Sequence, residues 1–259
     1  MTVRRLANAD TSLRKRVSAA EWQARVELAA CYRIAARFRM TDLIYTHISA
    51  RVPGTHEHFL INAYGLLFDE ITATSLVKVN LAGDIVEDAT GLGINAAGYV
   101  IHGAIHAARP DVGCVMHTHT GAGLAVAAQK HGLLPLTQHA MRFAGCLAYH
   151  DYEGIALDLD EQQRLVRDLG DNDAMILRNH GLLTCGPTVG AAFDLMYYLD
   201  CACQAQVGAM AGGAELVVPT EAVARKVAQQ FARPGRTAPD TGWDALVRML
   251  DRTDRTYRT

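Results

Sequence analysis

The sequence predicts a layered α/β fold, and three observations carry that expectation. Short apolar or alternating runs with the period of strands are interspersed with longer stretches of helical period, and turn-forming residues stand at the junctions. Half of the 259 residues are hydrophobic, enough to bury one substantial core, so a single large domain is preferred to two.

Residues 1 to 18 are polar and charged and read as a flexible N-terminal arm, ordered at most by a partner subunit. The main domain is expected over 19–215. Ser18 followed by Glu21 has the form of a capping box, and Trp22, Val26, Leu28, Ala29, Tyr32 and Ile34 follow at the spacing of an amphipathic helix ending near Arg39. Tyr45 to Val52 alternates, Pro53-Gly54 marks a turn, and Phe59-Leu60-Ile61 resumes the extended pattern, which gives a hairpin. Lys78 to Leu81 and Ile85-Val86, around Ala82-Gly83-Asp84, give a second. From Asn95 to Arg109 the pattern is helical until Arg109-Pro110-Asp111 stops it, and a strand then runs through Val112-Gly113-Cys114-Val115-Met116. Gly121 to Gln129 reads as a helix, Tyr149 to Ile155 as a polar and aromatic loop, Asp160 to Leu169 as a helix, Ala174 to Leu177 as a strand, and Val189 to Ala211 as a long helix.

A C-terminal extension is expected over 216–259, partly helical from Pro219 to Asp240 and helical again between Trp243 and Tyr257. Its side chains Trp243, Leu246, Met249, Leu250 and Tyr257 look too isolated from the main core to be buried alone, so the segment is expected to pack on a neighbouring subunit near that subunit's site. No internal repeat is visible.

A net charge of −2 offers no electrostatic reason to expect nucleic acid or an anionic membrane as partner, which leaves small molecules. Arg4, Arg5, Arg14, Lys15 and Arg16 are not followed by an apolar core of a signal peptide, and no stretch approaches the ~20 apolar residues of a membrane span. A soluble, cytoplasmic protein is expected. The six cysteines show no disulfide framework and suit a reducing compartment, most of them as small buried hydrophobes.

Chemistry concentrates at His117-Thr118-His119, which closes the apolar run before it. Residues two apart on a strand share a face, so two imidazoles are presented to one point, as a metal clamp requires. Zinc, iron, manganese and cobalt all accept neutral imidazole nitrogens, and catalytic sites commonly use three protein ligands with a position left open. The best third candidate is His180 in Arg178-Asn179-His180-Gly181, after the strand Ala174 to Leu177 and at a glycine turn.

The succession Ile101-His102-Gly103-Ala104-Ile105-His106, Arg109-Pro110-Asp111-Val112, His117-Thr118-His119 and Leu177-Arg178-Asn179-His180-Gly181, with Gly186 and Ala191 beyond it, resembles the class II aldolase/adducin family from about residue 20 to about residue 215. The resemblance implies a three-layer α/β/α sandwich on a central mixed, mostly antiparallel sheet. It implies a homotetramer with active sites near subunit interfaces. It also implies one divalent metal per subunit on His117, His119 and His180, zinc first, with iron, manganese or cobalt as alternatives.

The departures from the family pattern matter equally. Sugar-phosphate aldolases of the family carry a glutamate, as metal ligand and proton-transfer group, at the position held here by Gly98. Their phosphate pocket uses small groups where this chain has Thr46-His47, Tyr64-Gly65 and, beside Asn95, Ala96-Ala97. A phosphate dianion wants several small donors at close range, so His47, Tyr64 and Asn95 are expected to hold a different, unphosphorylated substrate. The adducin branch lost metal chemistry, whereas this chain keeps the three histidines.

His102 and His106 stand four apart on a helix. His106 is expected at a surface or interface and His102 under the metal site, with direct ligation by His102 or proton transfer as the other readings. In Tyr149-His150-Asp151-Tyr152-Glu153, Tyr152 and Glu153 are candidates to replace the missing carboxylate in acid/base work. Arg142 and Arg178 are candidates to hold a substrate carboxylate through a guanidinium fork. The expected function is a metal-dependent lyase, aldolase or decarboxylase, that breaks a C–C bond of a small oxo- or hydroxy-carboxylic acid through a metal-stabilised enolate. Loss of the glutamate favours decarboxylation, because carbon dioxide leaves without a base having to take a hydroxyl proton. The alternatives are a non-haem iron oxygenase acting on a 2-oxo acid and a non-catalytic, adducin-like interaction protein.

Overall fold

In the computed structural model, which describes residues 13–154, 159–232 and 239–259, the apolar runs form one eight-stranded sheet. Its strands are β1 (His47–Arg51), β2 (His58–Ile61), β3 (Val77–Asn80), β4 (Ile85–Glu87), β5 (Cys114–Thr118), β6 (Ala148–His150), β7 (Ala174–Leu177) and β8 (Gly181–Gly186), in the order β4-β3-β2-β1-β5-β8-β7-β6. Neighbours run antiparallel except β6 and β7, which are parallel. The sheet is therefore mixed and mostly antiparallel, and both hairpins read from the sequence are present.

Alternation along the central strands sets the layers. Cys114 and Met116 of β5, Ile176 of β7 and Leu182 of β8 join the core under helices α2 (Ala19–Arg37), α7 (Val189–Met210) and α9 (Pro239–Thr253). Their alternates Val115, Met175, Leu177, Leu183 and Cys185 join a second cluster with Val100, Ile101 and Ile105 of α3 (Ala96–Ala108) and Leu165 and Leu169 of α6 (Leu159–Leu169). Both faces of the central strands are covered, which explains why they read as continuous apolar runs. The result is an α/β/α sandwich. His117, in phase with Val115, lies on the α3 and α6 side, and so do His47 and Ser49 of β1, in antiphase to Ile48.

Helix α2 begins at Ser18, whose side chain accepts the Glu21 N–H. Glu21 turns inward to Arg25 and Lys78. Further helices are α4 (Gly121–Ala127), α5 (Gln138–Met141) and α8 (Glu221–Ala232).

The structure corrects the sequence reading in five places. Residues 13–16 are ordered on their own chain rather than in a flexible arm: Leu13–Arg16 forms a helical turn (α1), Leu13 is fully buried and Arg16 pairs with Glu87, while residues 1–12 lie outside the described residues. Tyr149 and His150, read as loop, lie in β6, where His150 is buried; the loop's end at Ile155 lies outside the described residues. Residues beyond His180 continue into β8, where only a turn had been expected. Finally, the apolar side chains near the C-terminus are not isolated from the core of their own chain. Trp243, Leu250 and Tyr257 belong to the main core, Ala73 N–H donates to the Tyr257 carbonyl, and Arg33 pairs with Asp254. The isolation that suggested a neighbouring subunit does not exist, since α7 and α2 cover those side chains. His106 is likewise buried inside the subunit.

All six cysteines are free, and no helix among the described residues is long and apolar enough to cross a membrane.

Candidate metal centre

Three elements bring His117, His119 and His180 together. His117 ends β5, His119 stands just beyond it, and His180 lies in the tight turn between β7 and β8, where Leu177 pairs with Gly181. Asn179 takes the left-handed conformation that asparagine tolerates (φ 55°) and His180 N–H closes the turn on the Leu177 carbonyl. Gly181 is needed for close approach: a Cβ there would stand 2.5 Å from the Thr118 carbonyl oxygen and 3.0 Å from the His119 ring. The three rings lie 4.7–5.0 Å apart between centroids, and one nitrogen from each falls within 4.8 Å of the others.

The outer nitrogens decide what the inner ones offer. His117 Nδ1 donates to the Leu182 carbonyl and His119 Nδ1 to the Asp42 carboxylate, both at 2.9 Å. In its neutral form each ring then carries its lone pair on Nε2, and these two Nε2 atoms face each other at 2.9 Å. Two lone pairs at that distance repel unless a cation stands between or beside them. Burial, then the neighbouring His180, His119 and His47, holds the His117 ring well below the ordinary imidazole range. His180 is pushed down to about 4 by burial, then by His119 and His150. Two rings with committed Nδ1 protons, and His180 beside them, fit a divalent ion of the kind that imidazole binds.

A cavity of about 330 Å³ opens on these nitrogens, lined by Tyr45, Thr46, His47, Tyr64, Asn95, Ile101, Tyr152 and Gly154 besides the three histidines. Among the described residues, none of those lining it is Asp, Glu, Lys or Arg. Thr46 holds φ at +67°, costly for a β-branched residue, and its hydroxyl is buried without a hydrogen-bond partner. His47 packs its ring against His117 at 5.7 Å and His102 at 5.3 Å, and burial, then His119 and His180, pushes it down to about 3.

Of the residues singled out from the sequence, His47, Tyr64, Asn95 and Tyr152 line the cavity, with Tyr152 about half exposed and 6.3 Å from the His180 ring. His102 is fully buried beside His47, its Nδ1 2.7 Å from Ser49 Oγ, and does not line the cavity. Glu153 is turned away into an ion pair with Arg164, whose hydrogen bonds hold its carboxyl below the usual range. Arg142 pairs with Asp194 at 2.6 Å. Arg178 lies over the Tyr149 ring and donates to the Gln129 carbonyl. Neither guanidinium is brought to the cavity. Asp42 was not anticipated; it lies 77 residues before His119 in a loop without periodicity, and nothing in the sequence marks it. Thr46 and Tyr45 had only their place beside His47, and Ile101 only its place in the helix.

Among known proteins, the family described as Class II Aldolase and Adducin N-terminal domain matches residues 26–207. An aldolase II superfamily protein from Pseudomonas syringae, a crystal structure, superposes with a TM-score of 0.92 at 59% identity, covering 96% of this chain and 100% of that one. L-fuculose 1-phosphate aldolase from Glaciozyma antarctica superposes with a TM-score of 0.81 at 27% identity, covering 92% of this chain and 93% of that one. Alpha-adducin from Rattus norvegicus is 45% identical over 249 residues, which cover 91% of this chain and 34% of alpha-adducin.

Proposed function

This chain belongs to the class II aldolase and adducin family, and we propose that it is a metal-dependent carbon–carbon lyase acting on a small, unphosphorylated oxo- or hydroxy-carboxylic acid. The observation that carries the reading is the pair of Nε2 atoms at 2.9 Å, each on a ring whose Nδ1 proton is already given away, with His180 beside them. His117, His119 and His180 would hold one divalent ion, zinc first among those that imidazole accepts. When bound, such an ion supplies a Lewis acid that polarises a substrate oxygen and stabilises negative charge as a carbon–carbon bond breaks.

The chain's own residues supply the remainder. Three neutral imidazoles leave the ion's charge uncompensated, and no acidic side chain lines the cavity among the described residues, so an anionic ligand is favoured there. Asn95 and Tyr64 offer neutral hydrogen bonds to a carboxylate, the work expected of Arg142 and Arg178. Retro-aldol cleavage needs a base for a hydroxyl proton, and Gly98 offers none. Decarboxylation needs only that the electron pair left on carbon be protonated, and Tyr152, which lines the cavity with its ring 6.3 Å from that of His180, would give that proton and regain one from water. The working unit is proposed to be a homotetramer in the cytoplasm, which light scattering tests by the mass in solution.

The likeness to alpha-adducin supports a second, non-catalytic reading, against which the intact histidine set argues. Elemental analysis of protein purified without chelator separates the readings. About one zinc or manganese per subunit, with carbon dioxide released from a 2-oxo acid, is the expected outcome. Iron with oxygen uptake would instead indicate oxidative decarboxylation, and absence of stoichiometric metal would indicate the interaction protein.

A further inference from the structure

Gly98 stands in the first turn of α3 with its backbone in helical conformation, so no positive φ calls for glycine. Alanine is also the better helix former of the two. Space explains the glycine: a Cβ at position 98 would stand 2.6 Å from Cδ2 and 2.8 Å from both Cγ and Nε2 of His47. Real Cβ atoms do not approach ring atoms so closely, so one of the two would have to move.

The His47 ring has few directions in which to move. One flank packs perpendicular to His102, another lies nearly parallel to His117, and the backbone of His47 is paired across the sheet with that of His117. Nε2, on the edge facing Gly98, lies 3.4 Å from Asn95 Nδ2, and Nδ1 is buried without a partner. The remaining open side is the cavity that His47 lines.

We propose that Gly98 and His47 are a matched pair in which the glycine seats the imidazole, and that the seated ring is the specificity-determining wall which lets an anionic chelating ligand reach the three histidines. An acidic side chain on that wall would repel a carboxylate, and the imidazole puts no carboxylate there. A side chain at 98 would drive the ring into the ligand's space. The ligand class rests on the function proposed above; the steric pairing does not.

Four proteins test both parts: wild type, Gly98→Ala, His47→Ala and the double variant, each measured by thermal unfolding and, loaded with zinc, by titration calorimetry with oxalate as the probe. Gly98→Ala is expected to lower the melting temperature when His47 is present and to raise it when residue 47 is alanine, because only the helix preference then remains. Oxalate affinity should fall at least tenfold in Gly98→Ala and in His47→Ala, and stay low in the double variant. A higher melting temperature from Gly98→Ala in both backgrounds would overturn the pairing. Undiminished oxalate affinity in His47→Ala would overturn the role of the ring while leaving the proposed function in place. Failure of zinc-loaded wild type to bind oxalate, with the change of sign in melting temperature still seen, would overturn the ligand class and with it the proposed function, and leave the pairing standing.

Discussion

His102 and His106 stand one helical turn apart on α3, and His117 and His119 stand two residues apart at the end of β5; by spacing alone, either pair suits a metal clamp. What their nitrogens meet separates them. His102 Nδ1 and His106 Nε2 both turn to Ser49 Oγ, at 2.7 and 2.8 Å, so a hydroxyl occupies the point where an ion would sit. That hydroxyl has one proton, so it donates to one ring and accepts from the other, fastening α3 to β1. In the second pair the outer nitrogens are satisfied by Leu182 and Asp42 and the inner ones converge on open space with His180. One histidine group is spent on holding the fold together. The other is held by the fold and left with lone pairs to offer.

Breaking the second group should have the largest effect. Removing His117 or His180 as alanine is expected to bring metal content, measured by elemental analysis after dialysis, from about one ion per subunit to near zero while the far-ultraviolet spectrum stays native. Full metal retention in either folded variant would move the metal elsewhere.

Asp42 offers the next step down, since it acts on the ligand through its ring. Asp42→Asn keeps the shape, but its amide has both a donor and an acceptor and can present the wrong one to His119 Nδ1. Metal affinity should weaken roughly 10–100-fold, as for other carboxylates behind a ligating imidazole. Competition with a coloured chelator measures it, and an unchanged affinity would leave Asp42 as a plain surface carboxylate.

Legibility followed the same division between local and distant causes. β5 and β7 read clearly because each is an apolar run, and His117 and His119 followed from the two-residue period of a strand. His180 was legible from its glycine turn, but β8 was not, because Leu182-Leu183-Thr184-Cys185 follows the turn at once and only pairing with β5 reveals it as a strand. β6 was hidden by Tyr149 and His150, polar residues whose burial depends on contacts such as Asp168 on His150 Nδ1. The C-terminal helix showed its apolar side chains but not their partners on α2 and α7. Arg142 has the chemistry of a substrate anchor, but Asp194, 52 residues away, holds it. Asp42 and the His47–Gly98 contact are likewise long-range meetings that no local pattern encodes.

Stability, not metal, should register damage to the first group. Ser49→Ala leaves two buried imidazole nitrogens without the hydroxyl they share, a loss of about 2–3 kcal/mol on the scale of unsatisfied buried groups. For a domain of this size that lowers the melting temperature by about 5–10 °C. Metal content should be unchanged. A loss of metal as complete as in His117→Ala would mean that the two groups are not independent.

The smallest and most graded effect is acid sensitivity, where both groups push in one direction but only one answers to metal. Burial, then Arg51, pushes His106 down to about 3, and burial with His47 and His106 beside it holds His102 well below its ordinary range. A histidine kept neutral in the folded state takes up its proton on unfolding. Between its ordinary value near 6.5 and its folded value the unfolded chain therefore binds more protons, and stability rises with pH. The contribution is complete above about pH 6.5 and is lost progressively as the pH falls towards 3. His180, at about 4, behaves alike in the apoprotein, but a bound ion competes for the same nitrogens as protons do. Urea midpoints measured from pH 7 to pH 5 should fall in both forms, and saturating zinc should raise the midpoint more at pH 7 than at pH 5, because at the lower pH protons compete for the ligand nitrogens. An equal zinc effect at the two values would mean that the ion is not held by titrating imidazoles, and a flat apoprotein profile would mean that His102 and His106 are not kept neutral by burial.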